Sequence, residues 1–136
     1  MNREIKFRAW DSGYKVMTYP YPINNGRTDK YLLQYTGLKD RNGKEIYEGD
    51  LVRMDYPAGY SIYEIRFGFY DNGREYEDAV MGNGWYAVEL WAYSHYVEPA
   101  KQEIYSFDIN GYPFREPFEV IGNIFENAEL LEVDHD

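Results

Sequence analysis

Grouped carboxylates are the residues of this chain best suited to chemistry: Glu48 with Asp50, Glu75 with Glu77 and Asp78, and Glu126 with Glu129. Two carboxyls held together in a cleft drive their pKa values apart and can serve as general acid and general base. With 24 acidic residues in 136, however, such spacings arise from composition alone. None is therefore assigned a catalytic role. Asp40-Arg41-Asn42-Gly43 invites a calcium-loop reading and fails on register. With Gly43 at the sixth loop position, the first ligand is Leu38 and the twelfth Gly49, where carboxylates are required. Gly82-Asn83-Gly84 lacks the third glycine and the strand-turn-helix setting of a dinucleotide fingerprint, so it is expected to be a turn. His95 and His135 lie far apart, one in an aromatic stretch and one in the tail, and suggest neither a zinc site nor a base with its orienting partner. Ser12, Ser61, Ser94 and Ser106 sit in no nucleophile elbow. The expectation is a protein without catalytic residues, cofactor or metal.

The elements around these residues read as strands and turns. Ile5, Phe7 and Ala9 alternate with Lys6, Arg8 and Trp10, Asp11-Ser12-Gly13 turns the chain, and Tyr14 to Tyr19 alternates again, which predicts an N-terminal β-hairpin. Tyr19-Pro20-Tyr21-Pro22 cannot continue a central strand because proline lacks a ladder donor. Residues 20–30 are therefore expected to be a loop, and Tyr31–Thr36 the next strand. Gly37 is expected to end that strand. Asn42-Gly43 is expected to form a tight hairpin turn, and Glu48-Gly49-Asp50 to launch the apolar pair Leu51-Val52. In 62–70, Tyr63, Ile65, Phe67 and Phe69 share one face while Glu64, Arg66 and Tyr70 share the other. The acidic segment 74–84 reads as a mobile loop. In 85–95, Tyr86, Val88, Leu90 and Ala92 fall on one side, and Trp85, Glu89, Trp91, Tyr93 and His95 on the other. Such a strand is either buried on both faces or offers its aromatic face to a partner. A last strand is expected over 118–124, then a helical turn capped by Asn127 and a frayed acidic tail.

Composition bounds the rest. A chain of 136 residues with no cysteine is one ordinary domain without disulfides or thiolate chemistry. It has no run approaching the roughly 20 apolar residues of a membrane helix and no signal-like start, so a cytoplasmic protein is expected. Tyrosine is the outlier, 16 of 26 aromatic residues. Tyrosine favours strands and also suits surfaces that meet partners. The net charge of −10 is divided unevenly, +3 over residues 1–54, −8 over 55–119 and −5 over 120–136. That balance argues against direct binding of nucleic acid through a large basic face.

Three blocks carry a resemblance: Lys6-Phe7-Arg8-Ala9-Trp10-Asp11; Gln34-Tyr35-Thr36-Gly37-Leu38-Lys39-Asp40 running on through Asn42-Gly43-Lys44-Glu45-Ile46-Tyr47-Glu48-Gly49-Asp50-Leu51-Val52; and Glu119 to Asn127 with Leu130-Leu131. In this order they resemble the YopX family of phage and prophage proteins. The resemblance implies a small, largely β protein from a bacteriophage or prophage, and it carries no catalytic residue, cofactor or ligand onto any position.

The resulting expectation is a mainly β, single YopX-like domain over 1–136. It would hold a small antiparallel SH3-like barrel over 31–136, an N-terminal hairpin and loop over 1–30, and a short C-terminal helical turn. Its expected role is non-catalytic protein–protein contact, with self-association through Trp85, Trp91, Tyr93 and His95. The alternative is an acidic phage effector that mimics DNA charge to occupy a host nucleic-acid-binding protein. No membrane partner is expected.

Overall fold

The computed structural model describes residues 5–21, 31–92, 95–106, 118–127 and 129. The chain is mainly β, as expected, with antiparallel sheets curled into half-barrels. Strands β1 (Phe7–Asp11), β2 (Val16–Thr18), β3 (Tyr31–Lys39) and β4 (Glu45–Tyr47) form the first sheet in the order β2-β1-β3-β4. Strands β5 (Asp50–Tyr56), β6 (Gly59–Asp71), β7 (Met81–Ala92), β8 (His95–Tyr96), β9 (Ile104–Ser106) and β10 (Glu119–Asn123) form the second. Its order is β10-β5-β6-β7-β8, and β9 also pairs with β7.

The N-terminal hairpin forms, with Trp10 opposite Met17, but it is no separate appendage. Strand β1 pairs with β3 along its other edge, Phe7 opposite Gln34 and Trp10 opposite Tyr31. The two sheets thus meet at Glu48-Gly49, where the expected division at residue 30 would have cut the first sheet. Gly37 does not end its strand either. At φ +89 it lies in a bulge of β3, between the pairs Tyr35–Tyr47 and Lys39–Glu45, and lets the strand run on. Asn42-Gly43 turns the chain as expected, with the Asp40 carbonyl accepting from Gly43 N–H at 3.0 Å.

Strand β7 is buried on both sides. Trp85 and Ala87 pack with Ile46, Val52, Met54, Tyr63 and Ile65 on one face of the second sheet. Val88, Leu90 and Trp91 pack with Leu51 and Ile62 on the other. Ile62 opposes Trp91 whereas Tyr63 opposes Glu89, so Leu90 is the extra residue of a bulge. Beyond that bulge the period-2 alternation reverses, which places Trp85 and Trp91 on opposite faces.

The segment 74–84 is more regular than a mobile loop. Asp71, Asn72 and Gly73 turn the chain, and a short 3-10 turn follows over Tyr76–Asp78. Strand β7 already starts at Met81, so Gly82-Asn83-Gly84 is strand rather than turn. A Cβ at Gly82 would lie 2.7 Å from the Tyr70 hydroxyl, so any larger residue there would have to displace the tip of that side chain. Gly84 opposes Gly68, and both sit near φ +140, a backbone region open essentially to glycine.

Candidate functional site

Two places concentrate functional potential, and the sequence blocks build the first. Arg8 of β1 and Asp50 of β5 form a buried ion pair at the junction of the two sheets, Nη2 to Oδ1 at 2.7 Å. The same guanidinium donates to the Glu48 carbonyl at 3.1 Å and to the Tyr19 hydroxyl at 3.2 Å. It also lies 4.9 Å from the centre of the Tyr47 ring. The second Asp50 oxygen accepts Tyr47 N–H at 2.7 Å. Burial pushes the Asp50 carboxyl above its ordinary value, while Arg8 and the Tyr47 N–H pull against it.

Asp40 closes the other side of the junction. One oxygen accepts Asn42 and Lys44 N–H, both at 2.8 Å, and the other accepts Val120 N–H of β10 at 2.9 Å. Burial alone would raise this carboxyl, but the three backbone donors together hold it below the usual aspartate value. Gly49, at φ +88, completes the seam: its carbonyl accepts Ile124 N–H at 3.0 Å, and a Cβ would come within 3.1 Å of the Phe125 ring. Phe125 in turn lies against Trp10 and Tyr31, ring centres 5.7 and 5.8 Å apart. This junction is architecture. Its ionic groups are consumed by one another.

A turn over 124–126 precedes the one expected after Asn127, and Asn123 caps it, its Oδ1 accepting Phe125 and Glu126 N–H at 3.0 and 2.8 Å. Asn127 reaches back, Oδ1 accepting Asn123 N–H at 3.1 Å. The expected helical turn over 128–131 lies outside the described residues, apart from Glu129.

Of the four residues expected to make partner contact, the three described ones are not brought together on one face. Trp85 and Trp91 are each only 6% exposed and belong to the core, on opposite faces of β7. His95 is exposed on β8, and Tyr93 lies outside the described residues. The correction follows from the Leu90 bulge, which no periodicity rule can place from one sequence. A second signal was available and pointed elsewhere: the face Tyr63-Ile65-Phe67-Phe69. Tyr63 and Ile65 are each 2% exposed, whereas Phe67 and Phe69 are 48% and 63% exposed. Here β6 and β7 run on as a two-stranded arm: past the Phe67–Trp85 pair no described strand pairs with either of them, and the turn that joins them is tied back to Glu103 through Arg74. Met81, opposite Asp71, extends the apolar face, and Tyr76 at the tip is 90% exposed.

Two open clefts flank these features. One, of about 490 Å³, is lined by Trp10, Ser12, Lys15, Phe125 and Glu126. The other, of about 390 Å³, includes Glu89, His95, Tyr96, Lys101 and Glu103. Burial raises the Glu89 carboxyl in spite of hydrogen bonds from the Ser61 and Tyr63 side chains. Lys101 and Glu103 are engaged with Glu98 and Arg74. Among the described residues no group of three or more His, Asp or Glu side chains could hold a metal ion, and no helix is long and apolar enough to cross a membrane.

The YopX protein family model matches residues 21–132. The chain belongs to the YopX family. The match takes in the central and C-terminal blocks, while Arg8 lies before it, so this YopX chain completes its buried junction with a residue outside the matched range. The chain is also similar to the crystal structure of protein EF1440 from Enterococcus faecalis, at 24% identity and a TM-score of 0.50, covering 96% of this chain and 100% of that one. At that identity the likeness concerns the fold alone. No match is found among the curated proteins.

Proposed function

We propose that this YopX protein is a non-catalytic protein–protein interaction module that self-associates, working in the cytoplasm of a bacterial cell that carries the phage or prophage encoding it. The observation that carries the reading is the β6–β7 arm. A two-stranded ribbon is marginally stable by itself in water, yet this one holds Phe67, Phe69 and Met81 in solvent on one face. An apolar face on a projecting element is the kind of surface that a partner covers. The arm therefore replaces the 85–95 strand as the contact element of the proposal.

Size exclusion with light scattering, at low and at high salt, tests it. An oligomer that persists in high salt supports association through the apolar arm, because screening weakens only exposed charge pairs. A strictly monomeric protein at high concentration refutes self-association. One observation favours a second reading: Glu75, Glu77 and Asp78 cluster at the arm tip. An acidic effector would present such carboxylates to the basic site of a host protein. A monomer that retains a nucleic-acid-binding protein from host lysate, and releases it in salt, is its expected outcome.

A further inference from the structure

We infer that the arm tip of one copy seats Tyr76 in the Trp10–Phe125 groove of a second copy, where Lys15 pairs with the carboxylates of Glu75 and Glu77. The inference rests on the self-association reading and names its two complementary surfaces. The groove is aromatic on one wall: Trp10 and Phe125 lie 33° from parallel, and Tyr31 continues the wall at 32° from Phe125. Its charged groups are one of each sign: Lys15, and Glu126, which keeps its charge while accepting from Asn123 Nδ2 at 2.9 Å. The Lys15 side chain makes no ion pair with a described residue. Trp10, 7% exposed, floors the groove, and the half-buried Phe125 with Lys15 beside it is the part open to an aromatic ring carrying a carboxylate neighbour.

The chain itself carries that ligand. Glu75-Tyr76-Glu77-Asp78 forms the arm tip, and Tyr76 is its most exposed large apolar residue. Lys15 and Tyr76 are the two non-glycine residues at positive φ among those described, +56 and +58. A side chain rarely adopts that conformation unless its surroundings impose it. At Lys15 the hairpin turn imposes it, with Asp11 Oδ1 accepting Gly13 and Tyr14 N–H at 2.9 and 3.0 Å. At Tyr76 the loop is pinned by Asn72, which accepts Arg74 and Val80 N–H at 3.1 and 3.0 Å and donates to the Asp78 carbonyl at 2.8 Å. The backbone that carries the ring is thereby fixed, which lowers the ordering cost of docking.

Charge decides against tip-on-tip pairing, since like carboxylates would face each other. The contact is therefore between different surfaces of the two copies. One tyrosine buries only about 150–250 Å², against roughly 800 Å² per partner for a stable interface. The arm's Phe69 and Met81 supply further area against the exposed Tyr31 and Val16 beside the groove.

The test compares full-length wild type, Tyr76→Ser and Lys15→Glu by sedimentation equilibrium, each checked for wild-type circular dichroism. Both variants are expected to self-associate at least tenfold more weakly. Mixing them is expected to restore a complex containing one chain of each, because the first keeps its groove and the second its knob. Adding Glu75→Lys and Glu77→Lys to Lys15→Glu is expected to restore assembly within a single chain. A monomeric wild type overturns both the self-association reading and this one. An assembled wild type with both variants equally assembled overturns this inference alone, as does a mixture of two monomeric variants that fails to pair.

Discussion

Asp50→Asn removes one charge from the junction and turns one of its two acceptors into a donor. Asparagine keeps the shape and its oxygen can still accept Tyr47 N–H, but its amide then faces the Arg8 Nη2 that Oδ1 accepted at 2.7 Å. The lost charge leaves Arg8 ionised and 2% exposed. Removing one partner of a buried pair costs about 3–5 kcal/mol. The Glu48 carbonyl, the Tyr19 hydroxyl and the Tyr47 ring remain around the guanidinium, so the lower end, about 3 kcal/mol, is expected. For a domain of this size that is a fall in Tm of roughly 10 °C. The paired replacement Arg8→Met/Asp50→Leu separates the charge from the packing. It removes the uncompensated cation along with Arg8 Nε, which is buried without a hydrogen-bond partner. It also leaves Tyr47 N–H without its acceptor, at about 1–3 kcal/mol. The double variant is therefore expected to be more stable than Asp50→Asn and within about 2 kcal/mol of wild type, since apolar replacement of buried pairs is often near neutral. Urea unfolding followed by circular dichroism, with unchanged m-values, measures all the variants. A loss below about 1 kcal/mol in Asp50→Asn, or a double variant as unstable as the sum of its single changes, would refute the claim that this pair holds the sheets together.

Other perturbations follow from the same geometry. Gly49→Ala forces a side chain to φ +88 and against Phe125; a loss of about 1–3 kcal/mol is expected in the same urea assay. Trp91→Ala should cost about 3–5 kcal/mol as a core truncation, whereas Phe69→Ser with Met81→Ser should leave the melt nearly unchanged and weaken self-association in light scattering. Glu89→Gln addresses pH. The folded-state pKa of Glu89 is raised, so its favourable contribution is present below the unfolded value near 4.3 and is lost as pH rises through the folded value. The variant should therefore melt above wild type at pH 7, with the gap closing below about pH 4; calorimetry across that range checks it. Asp40→Asn has the opposite sign, because the Asp40 pKa is lowered. It should destabilise at neutral pH and converge on wild type as pH falls through the folded value.

The parts of this fold legible in the sequence were those set by local chemistry. Asn42-Gly43 and Glu48-Gly49-Asp50 carry their turns in residue type, and period-2 alternation marked β1 and β6 correctly. What remained hidden depends on counting residues across strands. The Leu90 bulge reverses the faces of β7, and the Gly37 bulge carries β3 through a glycine that locally reads as a stop. Gly82 and Gly84 read as a turn for the same reason, although Gly84 is favoured by its own φ of +138 within the strand and Gly82 by the Tyr70 hydroxyl lying across the ladder. The Arg8–Asp50 pair spans 42 positions, and neither residue announces burial, since arginine and aspartate are mostly exposed in proteins.

The tyrosine excess divides between these two legible and hidden layers, and the division bears on function. Tyr19 and Tyr47 flank the buried cation, with Tyr47 centred 5.7 Å from Tyr19 and 5.4 Å from Tyr35. Tyr63 is buried with its hydroxyl 2.8 Å from that of Tyr56, and burial drives its pKa far above the ordinary phenol value. These rings serve as apolar bodies with one satisfied polar tip, a use that strand propensity and core packing explain without any partner. Tyr70 and Tyr86 stack along the arm at 5.0 Å and stiffen it. Tyr76 and Tyr14 have no such account, being 90% and 84% exposed. They sit at the tips of the two turns, one on the acidic arm and one beside Lys15. Aromatic composition therefore does not argue for an interface as a whole. Only the rings left in solvent do: Phe67, Phe69 and Tyr76 on the arm, and Tyr14, Tyr19 and Tyr31 on the first sheet and its turns.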